Sequence, residues 1–309
     1  DTEEKFVLKV AHKHSEFFEK SLELTKERNL PENVQRIIAY DKENRLVLLN
    51  YIEGDKTLRT GIYLGAQTGK KKELRAEQRL IIAWSILRKM LYTWAQLTEL
   101  GLVHGEMGTK HLLTSGGLID PDLVDRIDHA EKSHPAGTPL FMAPERCYGL
   151  SHRTTDLFSI GVSLALYLEM NIDAVSGDGI PKSKSIESQI AAKRKEIKRF
   201  SNPPAIPENS ERRRALERRA HHGFKHHLDL LKKTLTLNID FATDLGPGAK
   251  RFFYNLIDII CNTLGAMTKL RAEDRPQTEG AVCEIMGTKP LAEEQRRITV
   301  QTTSEAKCE

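Results

Sequence analysis

Residues Ala76 to Leu100, AEQRLIIAWSILRKMLYTWAQLTEL, run for twenty-five positions without a glycine or a proline. Nothing in that run opposes a helix, and its apolar residues spread over more than one face of the helix it would form. A helix that is apolar on several sides must be surrounded, so this one is expected at the centre of a large helical unit. Gly101 follows directly and can take the left-handed conformation that ends helices. A chain of 309 residues has room for such a unit and for a second, smaller one.

Upstream the pattern is strand-like. Phe6 to Val10 is a short β-rich run, and Val34 to Tyr40 and Leu46 to Tyr51 read as two strands joined by the turn Asp41-Lys42-Glu43-Asn44. Between them, Ser15 to Arg28 reads as an amphipathic helix carrying Phe17, Phe18, Leu22 and Leu24, and Pro31 ends it. Downstream, helices are expected over Thr154 to Met170, Ala249 to Thr268 and Gln277 to Met286. Strands first and helices afterwards predict an α+β fold.

Apolar residues make up 39% and charged residues 29%, which suits a soluble globular chain and excludes wholesale disorder. No apolar run reaches the roughly eighteen residues that a membrane span needs. The opening DTEEKFVLKV lacks the basic-then-apolar pattern of a signal peptide. The four cysteines, Cys147, Cys261, Cys283 and Cys308, are scattered without zinc-type spacing, so a reducing cytoplasmic setting is expected. The net charge of +4 is concentrated in residues 181–222, which hold twelve Lys or Arg against five Glu. A solvated surface insertion with pairs such as Glu196–Arg199 and Arg214–Glu217 is the first reading of that block. Docking to an acidic protein or an anionic membrane is the second. Nucleic acid is disfavoured, because aromatic residues are not interleaved with the charges.

Several short motifs follow one another in a definite order. They are FVLKV at 6–10, LVLLNYIEG at 46–54, GLVHGEMGTKHLL at 101–113, Asp120-Pro121-Asp122, GTPLFMAPE at 137–145, TDLFSIGV at 155–162 and RAEDRP at 271–276. Any one is weak. GTPLFMAPE followed by TDLFSIGV and then DRP is specific, and the series as a whole resembles the eukaryotic-type protein kinases over about residues 5–286.

The resemblance implies a bilobal architecture. Residues 1–54 would be a partial β-rich lobe with its hinge, 55–289 a mainly helical lobe carrying the basic insertion, and 290–309 a flexible tail. It implies transfer of the ATP γ-phosphoryl group to Ser or Thr hydroxyls of a protein, with Mg²⁺ or Mn²⁺. Lys9 would hold the α and β phosphates. Glu23, fourteen residues on, would hold Lys9, with Glu19 as the second candidate. Leu49 would be the gatekeeper, with Asn50 and Ile52 against adenine. Asp120 would bind the metal. His104, Glu145, Asp156 and Arg275 would be structural, the histidine donating to a carboxylate and Glu145 pairing with Arg275.

The departures from the pattern lie in the loop. Aligned with HRDLKPEN, the chain reads HGEMGTKH, so Glu106 stands for the base aspartate and His111 for the metal-binding asparagine. The extra methylene of Glu106 moves its carboxylate by about an ångström, enough to cost on the order of a hundredfold in rate. Imidazole is a poor ligand for Mg²⁺, which prefers oxygen. Gly108 replaces the usual lysine, and Lys110 could supply a cation instead. Pro121 lacks the bulk to fill the slot of a phenylalanine, and Asp122 replaces a permissive glycine while offering a second carboxylate for a metal. Gly105 removes the arginine that would bind a phosphorylated loop. Only eight residues precede Lys9 and none forms GxGxxG, so a phosphate-covering loop lies upstream or does not exist. The alternative to an active enzyme is therefore a pseudokinase that serves as a scaffold or allosteric partner. Small-molecule transfer is disfavoured by the APE-type segment.

Overall fold

The alternation in FVLKV sends Val7 and Lys9 to one side of a strand and Phe6, Leu8 and Val10 to the other, where all three are exposed. In the computed structural model this strand, β1 (Phe6–Val10), pairs antiparallel with β3 (Leu46–Asn50), which pairs antiparallel with β2 (Ile37–Asp41). Lys9 lies opposite Val47. Helix α1 (Ser15–Lys26) lies against β2, and its Leu22 joins Val7, Ile37, Val47 and Leu49 in a small core. Lys9 thus emerges on the same face of the sheet as that core.

The structure describes residues 5–10, 15–26, 30–52, 57–58, 75–127, 138, 141–148, 150–169, 225 and 228–291. The basic block at 181–222 with its charge pairs, the side chains of Phe17 and Phe18, and the tail after residue 291 lie outside them.

Helix α2 (Ala76–Glu99) is the long helix expected from the sequence. Leu80, Ile86, Leu87, Met90, Leu91, Trp94 and Leu97 are buried along one broad side of it, while Gln78, Ile81, Ser85 and Lys89 line an exposed stripe. The helix is therefore covered on one side, and not on several as the sequence led us to expect. Around it pack α3 (Thr155–Glu169), α5 (Pro247–Met267) and α6 (Glu279–Met286). The close approach of α3 to α5 depends on Gly161, since a Cβ there would meet Thr268 Cγ2 at 2.7 Å. Gly101, at φ 69°, ends α2 as expected. Residues 228–240 form a further helix, α4, that the sequence reading did not mark. Its Leu228, Leu231, Leu235 and Ile239 are buried at helical spacing in the same core.

Two other boundaries differ from expectation. Val34 makes only an isolated bridge to Leu118, and β2 starts at Ile37. Thr278 caps α6 by accepting from Ala281 N–H, so that helix starts two residues after Gln277. The two-residue strands β4 (Leu102–Val103) and β5 (Asp125–Arg126) pair antiparallel and bracket the loop that follows α2. Helices combine with two small sheets that are antiparallel throughout, which makes the fold α+β. No helix among the described residues is long and apolar enough to cross a membrane.

Candidate active site

Three segments distant in sequence meet at the β4–β5 edge. β1 delivers Lys9, and a tight 3₁₀ turn at Pro121–Leu123 delivers Asp120 and Asp122. Lys9 Nζ donates to Asp120 Oδ1 and to Asp122 Oδ2, each at 2.5 Å. Asp120 has φ 67° and ψ 67°, a left-handed backbone that costs an L-residue about 1–2 kcal/mol. Its amide donates to Gln35 Oε1 at 2.9 Å, while Gln35 Nε2 donates to the Asn50 carbonyl at 3.0 Å. Gln35 is buried, so one side chain fixes the distorted residue to the end of β3.

Burial opposes the charge on Lys9, but its bonds to Asp120 and Asp122 more than offset this and raise its pKa. Burial also pushes Asp120 up, yet contact with Lys9 holds its carboxyl below the ordinary range. Asp122 is raised by burial and then by the neighbouring Asp120. Two carboxylates beside one ammonium leave a surplus negative charge, which the second aspartate answers by holding its proton more tightly.

The loop after β4 supplies the rest. Thr138 Oγ1 donates to Glu106 Oε1 in a short hydrogen bond. His111 Nδ1 lies 2.9 Å from the Glu106 backbone oxygen, and its Nε2 lies 3.3 Å from Asp120 Oδ2. Asp156, at the start of α3, accepts from the backbone amides of His104 at 2.6 Å and Gly105 at 2.9 Å. Burial pushes Asp156 up to about 6. His104 is fully enclosed, and burial, followed by the repulsion that a protonated His111 would exert, pushes its pKa down to about 3. The expectation that the histidine ring would donate to a carboxylate is corrected: the backbone amide does so.

Gly105 has φ 81°, and a Cβ there would meet Leu123 O at 2.6 Å and Arg146 Nη2 at 2.8 Å. The space left by the missing side chain is therefore filled by Arg146. That guanidinium is buried and reaches Ser151 Oγ at 2.6 Å and Asp125 Oδ2 at 3.4 Å. Asp125 also receives Lys20 of α1 at 2.7 Å. A line of alternating charge thus ties α1 to β5 and to the turn at Pro144–Tyr148. Gly105→Ala is expected to cost about 2 kcal/mol or more, because it adds left-handed strain to a backbone collision. Chemical denaturation reads the loss.

The remaining expected residues fall as follows. Leu49 is buried beside Val47, and Ile52 is buried near Leu113. Asn50 faces Arg36, whose amide donates to Asn50 Oδ1 at 2.7 Å. Glu23 stands exposed, and Glu19 pairs with Lys42 at 2.7 Å, so the expected glutamate partner for Lys9 is replaced by Asp120 and Asp122. Lys110 is exposed. Pro121 is buried, and Ser21 of α1 donates to its carbonyl, so proline is accommodated under α1 after all. Asp122 sits in the 3₁₀ turn without a positive φ, and the positive φ falls on Asp120 instead. Gln35, Lys20, Asp125 and Arg146 were not marked by the sequence reading. Only GTPLFMAPE adjoins one of them, Arg146.

Below the site, Arg275 Nη1 and Nη2 donate to the two oxygens of Glu145 at 2.6 and 2.8 Å. Arg275 also donates to the carbonyls of Lys269, Thr154 and Leu270, and Thr155 Oγ1 donates to Glu145. The pair expected from the late motif is present, with the arginine fully buried. No protein-family model and no curated protein matches this chain.

Proposed function

We propose that this chain is a divergent member of the eukaryotic-type Ser/Thr protein-kinase fold that binds ATP with a divalent cation and transfers the γ-phosphoryl group to a protein hydroxyl. The observation that carries this reading is the meeting of Lys9 with Asp120 and Asp122 at 2.5 Å across more than a hundred residues of sequence. The sheet with α1 stands for the small lobe, and the helices around α2 for the large one.

The proposed roles rest on this geometry. Lys9 would hold the α and β phosphates in place of the aspartates, and Asp120 and Asp122 would hold the metal. Asp122 Oδ1 is buried without a hydrogen-bond donor among the described residues, as a carboxylate awaiting a cation would be. The cation, when bound, neutralises charge on the phosphates. Glu106, oriented by Thr138, accepts the hydroxyl proton, and the Leu49–Ile52 stretch meets the base of the nucleotide.

A second reading, a nucleotide-independent scaffold, is favoured by one observation. A Cβ at Gly108 would meet Phe141 Cδ2 at 2.9 Å, so the room for the family's lysine is filled by a ring, while Lys110 points to solvent.

A thermal-shift titration with ATP, with and without Mg²⁺ or Mn²⁺, separates the two. ATP at about a hundred times its dissociation constant stabilises by about 2.7 kcal/mol, a shift of several degrees. The shift is expected to need metal and to vanish in Lys9→Ala. No shift at millimolar ATP would sink the phosphotransfer reading and leave the scaffold.

A further inference from the structure

The imidazole of His111 is held as a metal-ligating histidine is held. Its Nδ1 lies 2.9 Å from the Glu106 backbone carbonyl, which can only accept, so Nδ1 carries the ring proton. In the neutral ring Nε2 is then a bare lone pair, and it faces Asp120 Oδ2 at 3.3 Å. Two acceptors that face one another need a cation or a proton between them. An ion about 2.1 Å from each atom would see them at about 100°, within the range of tetrahedral and octahedral centres. Ligating histidines regularly donate their other N–H to a backbone carbonyl, as here. Asp122 Oδ1, buried and without a donor among the described residues, lies on a carboxylate that contacts Asp120.

We propose that His111 Nε2 and Asp120 Oδ2 jointly ligate a divalent transition ion, Mn²⁺ in preference to Mg²⁺. Among the described residues no group of three His, Cys, Asp or Glu side chains could hold a metal by itself. The remaining ligands are therefore phosphate oxygens, water and Asp122 once it turns from Lys9, and in this the inference rests on the nucleotide reading above. Mn²⁺ accepts an imidazole nitrogen among oxygen ligands more readily than Mg²⁺, which keeps to oxygen. His111 thus changes the ion that the site selects without abolishing the site.

The test uses the full chain with MnCl₂, alone and with β,γ-methylene ATP. Electron spin echo spectroscopy of bound Mn²⁺ is expected to show coupling to an imidazole nitrogen, which changes when the protein's histidines carry ¹⁵N. His111→Asn is expected to remove the coupling, weaken Mn²⁺ binding about tenfold or more, and bring Mg²⁺ level with it; His111→Gln serves if the asparagine variant does not fold. Bound Mn²⁺ without nitrogen coupling overturns the imidazole ligation, leaves the nucleotide reading standing, and makes His111 a charged partner of Asp120. Nitrogen-coupled Mn²⁺ whose affinity ignores the nucleotide upholds the ligation and overturns the nucleotide reading. No Mn²⁺ binding in either condition overturns both.

Discussion

Under the proposed phosphotransfer reading, replacing Glu106 by Gln is expected to lower transfer by about 10²–10⁴-fold while the fold and any nucleotide-induced thermal shift stay as they are. The amide has the shape of the carboxylate, and its oxygen can still accept from Thr138 Oγ1, so the local hydrogen bond survives. It cannot take a proton from the incoming hydroxyl. Single-turnover transfer from labelled ATP, measured beside the thermal shift, separates chemistry from binding. Transfer that continues undiminished would show that Glu106 is not the base. Glu106→Asp makes the converse test: the structure holds the glutamate on Thr138, so shortening it by a methylene breaks that contact and is expected to slow the reaction as well.

Arg275→Met is expected to destabilise the protein by about 3–5 kcal/mol, because it strips a buried carboxylate of its partner. Glu145 is nearly enclosed and would keep only Thr155 among its present side-chain partners. The carbonyls of Lys269, Leu270 and Thr154 would lose their donor as well. For a protein of this size the loss corresponds to a fall of roughly 5–8 °C in Tm. Burial pushes the Glu145 carboxyl up, but Arg275 more than offsets it and holds the pKa below the ordinary value. That stabilisation is present above the unfolded-state pKa of about 4.5 and is lost as pH falls through the lower folded value. The difference between wild type and variant is therefore expected to shrink as pH falls below about 4.5. The double variant Glu145→Leu, Arg275→Met recovers much of the loss if the unpaired charge is its cause. A single variant as stable as wild type would mean that the pair contributes nothing to the fold.

The large helical part was legible because its signals are local. Twenty-five positions without a breaker, the cap at Gly101 and the Glu145–Arg275 pair each follow from a short stretch or a motif. Helix α4 carried a clear apolar period in Leu228, Leu231, Leu235 and Ile239 and was overshadowed by the basic block before it. The cluster of Lys9, Asp120 and Asp122 could be named from motifs. Its internal partners could not, since the choice between Glu23 and Asp122 depends on how α1 sits on the 3₁₀ turn. Gln35 gave no signal at all: a single amide at the start of a strand says nothing of the two backbone groups it joins. Arg146 filling the space beside Gly105 is likewise a fact of three dimensions, visible only once both segments are in place.

The left-handed backbone of Asp120 carries a standing cost to the folded state. Every folded copy gives up on the order of a tenfold share of its folding equilibrium at that one residue, and glycine would remove the penalty without disturbing the turn. Asp120, tethered by Gln35 and Lys9, therefore keeps a carboxylate at this point of the turn at a cost in stability that the turn itself does not require.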